Sequence, residues 1–83
     1  MGMLEQELDT FGKWLRANRR AQDLTQVELA QRVGCAEITI RKIEAGHLAP
    51  SKNLAYLLLN ALAVPRMQQE RLVRFARETS RRG

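Results

Sequence analysis

The chain has 83 residues, which is enough for one small domain, and a net charge of +5. Its single cysteine cannot form an internal disulfide, and no apolar run approaches the roughly 18 residues of a membrane span. The sequence has no secretory h-region, no nucleophile–base set and no paired His or Cys ligands. We therefore expect a cytoplasmic protein that is not an enzyme and that uses no metal or cofactor.

The positive charge lies mostly toward the two ends of the chain. Residues 10–20 carry only bases, whereas residues 21–50 are slightly acidic overall. From residue 65 onward there are six arginines and two glutamates. This excess of positive charge favours a polyanionic partner, although the positive charge does not lie in the central segment.

A first helix is predicted from Asp9 or Thr10, either of which is a good N-cap, to about Ala21. Its apolar face consists of Phe11, Trp14, Leu15 and Asn18. Arg19 falls at the edge of that face. The opposite face is either a solvated surface or a phosphate clamp, and it consists of Lys13, Arg16 and Arg20. Residues 1–9 are predicted to form a flexible N-terminal segment.

The stretch from Thr25 to Gly46 predicts two short amphipathic helices joined by a tight turn. Thr25 and Glu28 form a capping box, in which a hydroxyl and a carboxylate satisfy backbone donors at a helix start. Gly34 lies where the turn needs positive φ, and Gly46 ends the second helix. The apolar or small positions between them have helical spacing and are Leu29, Ala30, Val33, Cys35, Ile40 and Ile43.

Two further helices are predicted beyond the central pair. Ser51 is a good N-cap for a helix over about 52–62, which is apolar on nearly every side and so must be buried on more than one face. Pro65 suits the first position of a helix over about 65–79. Its apolar face holds Leu72, Phe75, Ala76 and, more loosely, Val73. Its other face is either solvated or in contact with DNA or an acidic partner, and it holds Arg71, Arg74, Arg77 and Arg81.

No strand pattern, repeat or low-complexity segment appears in the sequence. The predicted fold class is therefore all-α, with five helices. We predict a single domain over residues 10–79, followed by a short tail at 80–83.

The second helix of the central pair, Ala36–Ala45, has one face for the core and one for a partner. With Ile40 and Ile43 pointing inward, the far side presents Glu37, Ile38, Arg41 and Lys42. Such a helix fits the major groove of B-DNA. There the two basic side chains donate to guanine, the carboxylate accepts from cytosine N4, and the isoleucine touches a thymine methyl. The competing interpretation is that the charges are merely solvated and the isoleucine lies at the rim of the core.

Phosphate contacts are predicted beside this helix. Gln26 begins the first helix of the pair, so its amide and its backbone N–H can meet a DNA phosphate. Thr25 immediately precedes it, and Lys52 stands at the start of the fourth helix. We assign both residues the same role.

The sequence resembles the Xre/Cro-type, lambda-repressor-like helix-turn-helix domain of phage repressors and many bacterial regulators. The resemblance rests on the run LTQVELAQRVG, the apolar Ile40 and Ile43, the IEAG ending, and Pro50-Ser51 before an apolar helix. It covers Thr25–Gly46 closely and residues 11–64 more loosely. The arginine-rich tail is also similar to N-terminal modules of larger bacterial regulators.

The resemblance implies that Ala36–Ala45 is the recognition helix and that Gln26 contacts a phosphate. It places three residues at base-reading positions, namely Glu37, Ile38 and Lys42. It also implies an ion pair between Arg19 of the first helix and Glu44 at the end of the recognition helix.

Two positions depart from the family pattern. Ala36 stands where the family usually has a Ser or Thr N-cap, which costs about 1 kcal/mol of helix stability. Ala63 stands where a helix-ending glycine is common, so we expect the fourth helix to end differently.

We therefore predict sequence-specific binding to double-stranded DNA by a bacterial, nucleoid-associated transcriptional regulator or its DNA-binding module. Because one recognition helix reads only a few base pairs, tight binding usually needs two copies. A homodimer through helices 4 and 5 has apolar surface available, unless the fifth helix covers it, on Tyr56, Leu57, Leu59 and Ala63. The alternative is a protein–protein interaction module on the same scaffold, which the slightly acidic centre and the apolar fourth helix favour.

Overall fold

A computed structural model describes residues 8–80, in which five α-helices follow one another without any β-strand. They are α1 (Phe11–Ala21), α2 (Gln26–Val33), α3 (Glu37–Glu44), α4 (Lys52–Ala61) and α5 (Arg66–Ser80). The all-α, five-helix prediction is confirmed. Residues 1–7 of the expected flexible segment, and Arg81 with the rest of the tail, lie outside the described residues.

Side-chain caps start three of the helices where the sequence predicts them. The Thr10 hydroxyl accepts a hydrogen bond from the Lys13 backbone N–H (3.2 Å), so Thr10 rather than Asp9 caps α1. The Ser51 hydroxyl accepts from the Leu54 N–H (3.1 Å) and caps α4. The third cap, at Thr25, starts α2 and forms part of the site described below. These caps satisfy backbone donors that have no acceptor within the helix.

The end of α4 differs from its expectation. Ala63 adopts φ +59°, the left-handed conformation that a glycine would take there. The Val64 N–H donates to the Leu59 carbonyl (2.9 Å), so the turn closes as it would with glycine. An L-residue in this conformation costs roughly 1–2 kcal/mol. The helix therefore ends in the turn that a glycine would form, in spite of the alanine, and α5 starts at Arg66, one residue after Pro65.

The core is formed by the inner faces of all five helices. Phe11 stacks on Trp14 with ring centroids 5.5 Å apart and meets Phe75 edge-on at 6.5 Å. On α5, Val73 is buried and Phe75 is only half-buried, which reverses their expected order. The buried apolar side chains are Phe11, Trp14, Leu15, Leu24, Leu29, Ala30, Ile40, Ile43, Ala55, Leu58, Leu59, Leu62, Leu72, Val73 and Ala76.

Helix α4 is buried on more than one face, as its composition predicts, and it packs against α2 and α5. The surface proposed for a dimer needs one correction. Leu59 is completely buried and so cannot contact a second copy, because its side chain fills the core. Leu57 is 41% exposed, Ala63 is exposed and Tyr56 is half-buried. Within residues 8–80, no helix has the length and apolar character to cross a membrane.

Candidate nucleic-acid interface

The turn between α2 and α3 depends on one glycine. Gly34 adopts φ +85°, and its N–H donates to the Ala30 carbonyl (2.8 Å). The Cys35 N–H donates to the same carbonyl (3.0 Å), so the last turn of α2 is closed by two bonds. Helix α3 then starts after Ala36, whose side chain makes no capping hydrogen bond. The turn sets the direction in which α3 leaves α2.

Helix α3 has an inner and an outer face. Ile40 and Ile43 are buried in the core, at 0% and 2% exposure. Ile38 is 51% exposed, so about half of its surface is open to a partner. The outer face holds the four predicted base-reading residues, all of them exposed, namely Glu37, Ile38, Arg41 and Lys42.

A buried ion pair ties the end of α3 to α1. Arg19 Nε donates to Glu44 Oε2 (2.7 Å) and Arg19 Nη2 donates to Glu44 Oε1 (3.0 Å). The side chains of Arg19 and Glu44 are only 8% and 3% exposed. Arg19 Nη1 also donates to the Leu24 carbonyl (2.7 Å), which fixes the linker between α1 and α2. Such a bidentate pair has a defined geometry and so holds α3 at one position.

Gln26 joins the same network. Its Nε2 donates to Glu44 Oε1 (3.1 Å), so one amide hydrogen is used within the protein. The second hydrogen remains to donate, as does the backbone N–H, since the first turn of a helix has no internal acceptors. The residue predicted to contact a phosphate therefore also orients the glutamate that anchors α3.

Thr25 closes the capping box at the start of α2. Its hydroxyl accepts from the Glu28 N–H (3.0 Å), and its own N–H donates to Glu28 Oε1 (2.8 Å). The backbone hydrogen bond from Thr25, followed by its side-chain hydrogen bond, lowers the pKa of the Glu28 carboxyl. The box therefore uses both the hydroxyl and the backbone N–H of Thr25 on Glu28.

Helices α1 and α3 approach each other closely at Gly12, a residue whose role the sequence analysis did not predict. A Cβ built at this position would overlap the Ile43 carbonyl oxygen and lie 2.8 Å from the Glu44 carbonyl oxygen. Only a residue without a side chain fits there. The available signal was a glycine inside a helical pattern, where it costs about 1 kcal/mol relative to alanine.

The basic face of α1 divides into two parts. Lys13 Nζ pairs with Asp9 Oδ1 (2.9 Å), and both side chains are largely exposed. Arg16 and Arg20 instead line a depression of about 490 Å³ beside α3, together with Arg19, Thr25, Gln26, Arg41, Glu44 and Ala45. The linear sequence does not show this grouping, since its members come from three helices.

The remaining predicted phosphate contact lies elsewhere. Lys52 is exposed at the start of α4 and lines a separate depression of about 260 Å³, with Tyr56, Glu70, Val73, Arg74 and Arg77. Arg74 makes a long ion pair with Glu70 (3.7 Å) on the surface of α5. The structure thus brings Thr25 and Gln26 together next to α3 but does not bring Lys52 to them.

Metal-ligating side chains and the single cysteine are the remaining reactive groups to place. Within residues 8–80, no group of three or more His, Cys, Asp or Glu side chains is placed to hold a metal ion. Cys35 is half-buried rather than fully buried, and burial raises the pKa of its thiol. A thiol with a raised pKa is mostly protonated at neutral pH and is therefore unreactive.

Comparison with known proteins agrees with this geometry. A family model described as helix-turn-helix matches residues 15–67, which include α2, α3 and α4. A protein of Methanothermobacter thermautotrophicus, named as an HTH-type transcriptional regulator, is 44% identical over 48 residues, or 58% of this chain and 70% of that protein. No solved structure matches the chain significantly. The chain belongs to the helix-turn-helix family, of the Xre and lambda-repressor-like type.

Proposed function

We propose that this chain binds double-stranded DNA sequence-specifically, as a transcriptional regulator or the DNA-binding module of one, with α3 in the major groove. Membership of the helix-turn-helix family supports a DNA-binding regulator in general. The observation that carries the finer proposal is the outer face of α3. It exposes an acid, two basic side chains and an isoleucine on a helix whose opposite face is locked into the core.

The mechanism is direct readout by side chains on a rigid helix. Lys42 donates to guanine O6 or N7, Glu37 accepts from cytosine N4, and Ile38 packs against a thymine methyl. The ion pair of Arg19 with Glu44 holds the helix, so the reading side chains lose little further backbone freedom on binding. Gln26 positions α3 by donating to a phosphate, and Thr25 lies beside it as the second predicted phosphate contact.

A single reading helix covers few base pairs, so we infer that two copies bind half-sites about one helical turn apart. The exposed apolar side chains on α4 and α5 are Leu57, at 41% exposure, and Met67, at 95%. They support a contact through these two helices. The mass of the protein–DNA complex tests this point, because a dimer doubles the protein content for each duplex.

The experiment that tests the function is a selection of bound sequences from random duplexes. A recovered motif that binds at least about a hundredfold more tightly than random DNA supports sequence-specific recognition, since specific sites commonly exceed non-specific ones by about 10³ or more. Recovery of no enriched sequence would contradict it.

The variant Lys42→Ala then tests whether the outer face of α3 reads bases. We expect it to weaken binding to the recovered site by about 1–3 kcal/mol and to weaken random duplex binding far less, because a base contact discriminates and a phosphate contact does not. The matched control is Lys13→Ala, which removes the same charge from a residue that already pairs with Asp9. Equal losses on both duplexes would show that Lys42 contacts phosphate only.

The second candidate is a protein-interaction module, which the exposed Met67 and Leu57 favour. Ionic strength separates the two functions. Binding to DNA releases counterions and weakens steeply as salt rises, whereas an apolar protein contact responds little.

A further inference from the structure

We propose that the depression beside α3 binds a phosphodiester of the DNA flank, and that Arg41 serves this site rather than reading a base. The inference rests on the proposed function and adds to it a second binding element, formed by Arg16 and Arg20 of α1 with Arg41 of α3. It also decides between the two interpretations of the basic face of α1.

The charge of the depression supports an anionic ligand. Its lining contains four arginines and one glutamate, which leaves three positive charges in excess. That glutamate, Glu44, is already neutralised by Arg19 and hydrogen-bonded by Gln26. The excess therefore belongs to the three exposed arginines, Arg16, Arg20 and Arg41.

The position of Arg41 on its helix separates it from the base-reading residues. Residues three and four apart are neighbours on a helix surface, so Arg41 lies between Ile38 on one side and Glu44 with Ala45 on the other. The latter two line the depression together with Arg41, whereas Ile38 and Lys42 do not. Arg41 therefore lies on the side of α3 that faces α1 and the start of α2, next to the predicted phosphate contact at Gln26.

The start of α2 completes the site. Thr25 and Gln26 line the same depression, and Gln26 keeps an amide hydrogen that the protein does not use. Guanidinium groups and a helix N-terminus are both donors suited to phosphate oxygens. A volume of about 490 Å³ is in the range of small-molecule pockets, but such pockets are mostly apolar and half of the residues that line this one are arginines. A DNA phosphate fits the lining better than an apolar effector.

The test uses the full chain and the duplex recovered by selection. In Arg16→Ala/Arg20→Ala and in Arg41→Ala, we expect affinity to fall by the same factor on the selected and on random duplexes. The slope of log affinity against log salt should shrink by about 0.9 for each phosphate that the variant no longer neutralises. Arg66→Ala is the matched control, because Arg66 is an exposed arginine that lines a different depression with Tyr56, Asn60, Gln69 and Glu70. It should leave affinity and slope unchanged.

Replacing one flanking phosphate at a time by a neutral methylphosphonate identifies the phosphate that the depression binds. At one position it should weaken binding of the unmodified protein and have little effect on Arg16→Ala/Arg20→Ala. A salt slope that stays the same in all the variants would overturn the proposal, as would a loss by Arg41→Ala confined to the selected site. Neither result would affect the proposed function, which fails only if the unmodified protein prefers no sequence.

Discussion

Helices α2 and α3 have eight residues each and lie next to each other, yet they are stabilised in different ways. Helix α2 carries a complete capping box at its start and a left-handed glycine at its end. Helix α3 starts at Ala36 without any side-chain cap. Because so short a helix is marginal on its own, α3 must be held by its neighbours, through the buried Ile40 and Ile43 and the pair of Arg19 with Glu44.

This difference shows which parts of the molecule set the geometry of the outer face of α3. The start and the end of α2 are set by residues at its own two ends. The position of α3 follows from a side chain on α1 and from the close approach at Gly12. Substitutions at the ion pair, at Gly12 and at the two helix starts test the contrast.

Arg19→Ala should destabilise the protein by about 3–5 kcal/mol, because it leaves Glu44 buried without its partner. That is a large part of the roughly 5–15 kcal/mol typical of a whole domain. Urea unfolding followed by helical circular dichroism measures the loss.

Two further variants provide references for this loss of stability. Lys13→Ala breaks an exposed ion pair that solvent screens, so it should leave the free energy of unfolding almost unchanged. Arg19→Met combined with Glu44→Met removes both charges and should recover most of the stability. A loss in Arg19→Ala no larger than that in Lys13→Ala would show that the pair does not hold α3.

Gly12→Ala should destabilise by about 2 kcal/mol, because the added methyl forces α1 away from the backbone of Ile43 and Glu44. Helix propensity alone predicts the opposite sign, a gain of about 1 kcal/mol. The sign of the change in unfolding free energy therefore separates the two effects. A stabilised variant would show that α1 and α3 have room between them.

Capping substitutions at the starts of α2 and α3 should change the stability of the protein in opposite directions. Ala36→Ser supplies the missing cap of α3 and should stabilise by about 1 kcal/mol, whereas Thr25→Ala removes the cap of α2 and should cost about the same. Thermal unfolding of both variants beside the unmodified protein measures the pair of changes. If Ala36→Ser brought no gain, the start of α3 would already be satisfied by tertiary contacts.

Much of the fold was predictable, for local reasons. The caps at Thr10, Thr25 and Ser51 are signals that act within four residues, so they appear directly in the sequence. The left-handed turn at Gly34 is local in the same way. Where local signals were absent, prediction failed. Nothing near Ala63 indicated that the chain would take a left-handed turn without glycine.

The candidate site was predictable only in part. Helical periodicity placed Glu37, Ile38 and Lys42 on one exposed face, and the structure has them exposed. The grouping of Arg16 and Arg20 with a third arginine on α3 was not predictable, because residues on different helices have no fixed spacing in the sequence. The reversed burial of the valine and the phenylalanine on α5 likewise depends on which neighbour each one meets.

The sequence by itself determined the helices, their caps, the turn after α2 and the outer face of α3, because periodicity and capping act between residues close in the chain. The family resemblance implied the pair of Arg19 with Glu44, whereas only the tertiary structure decided the close approach at Gly12 and which arginines lie beside α3. Burial of Arg19 with Glu44, the approach at Gly12 and the arginine-lined depression all arise where separate helices meet. Their geometry is set by packing over distances that no local pattern encodes.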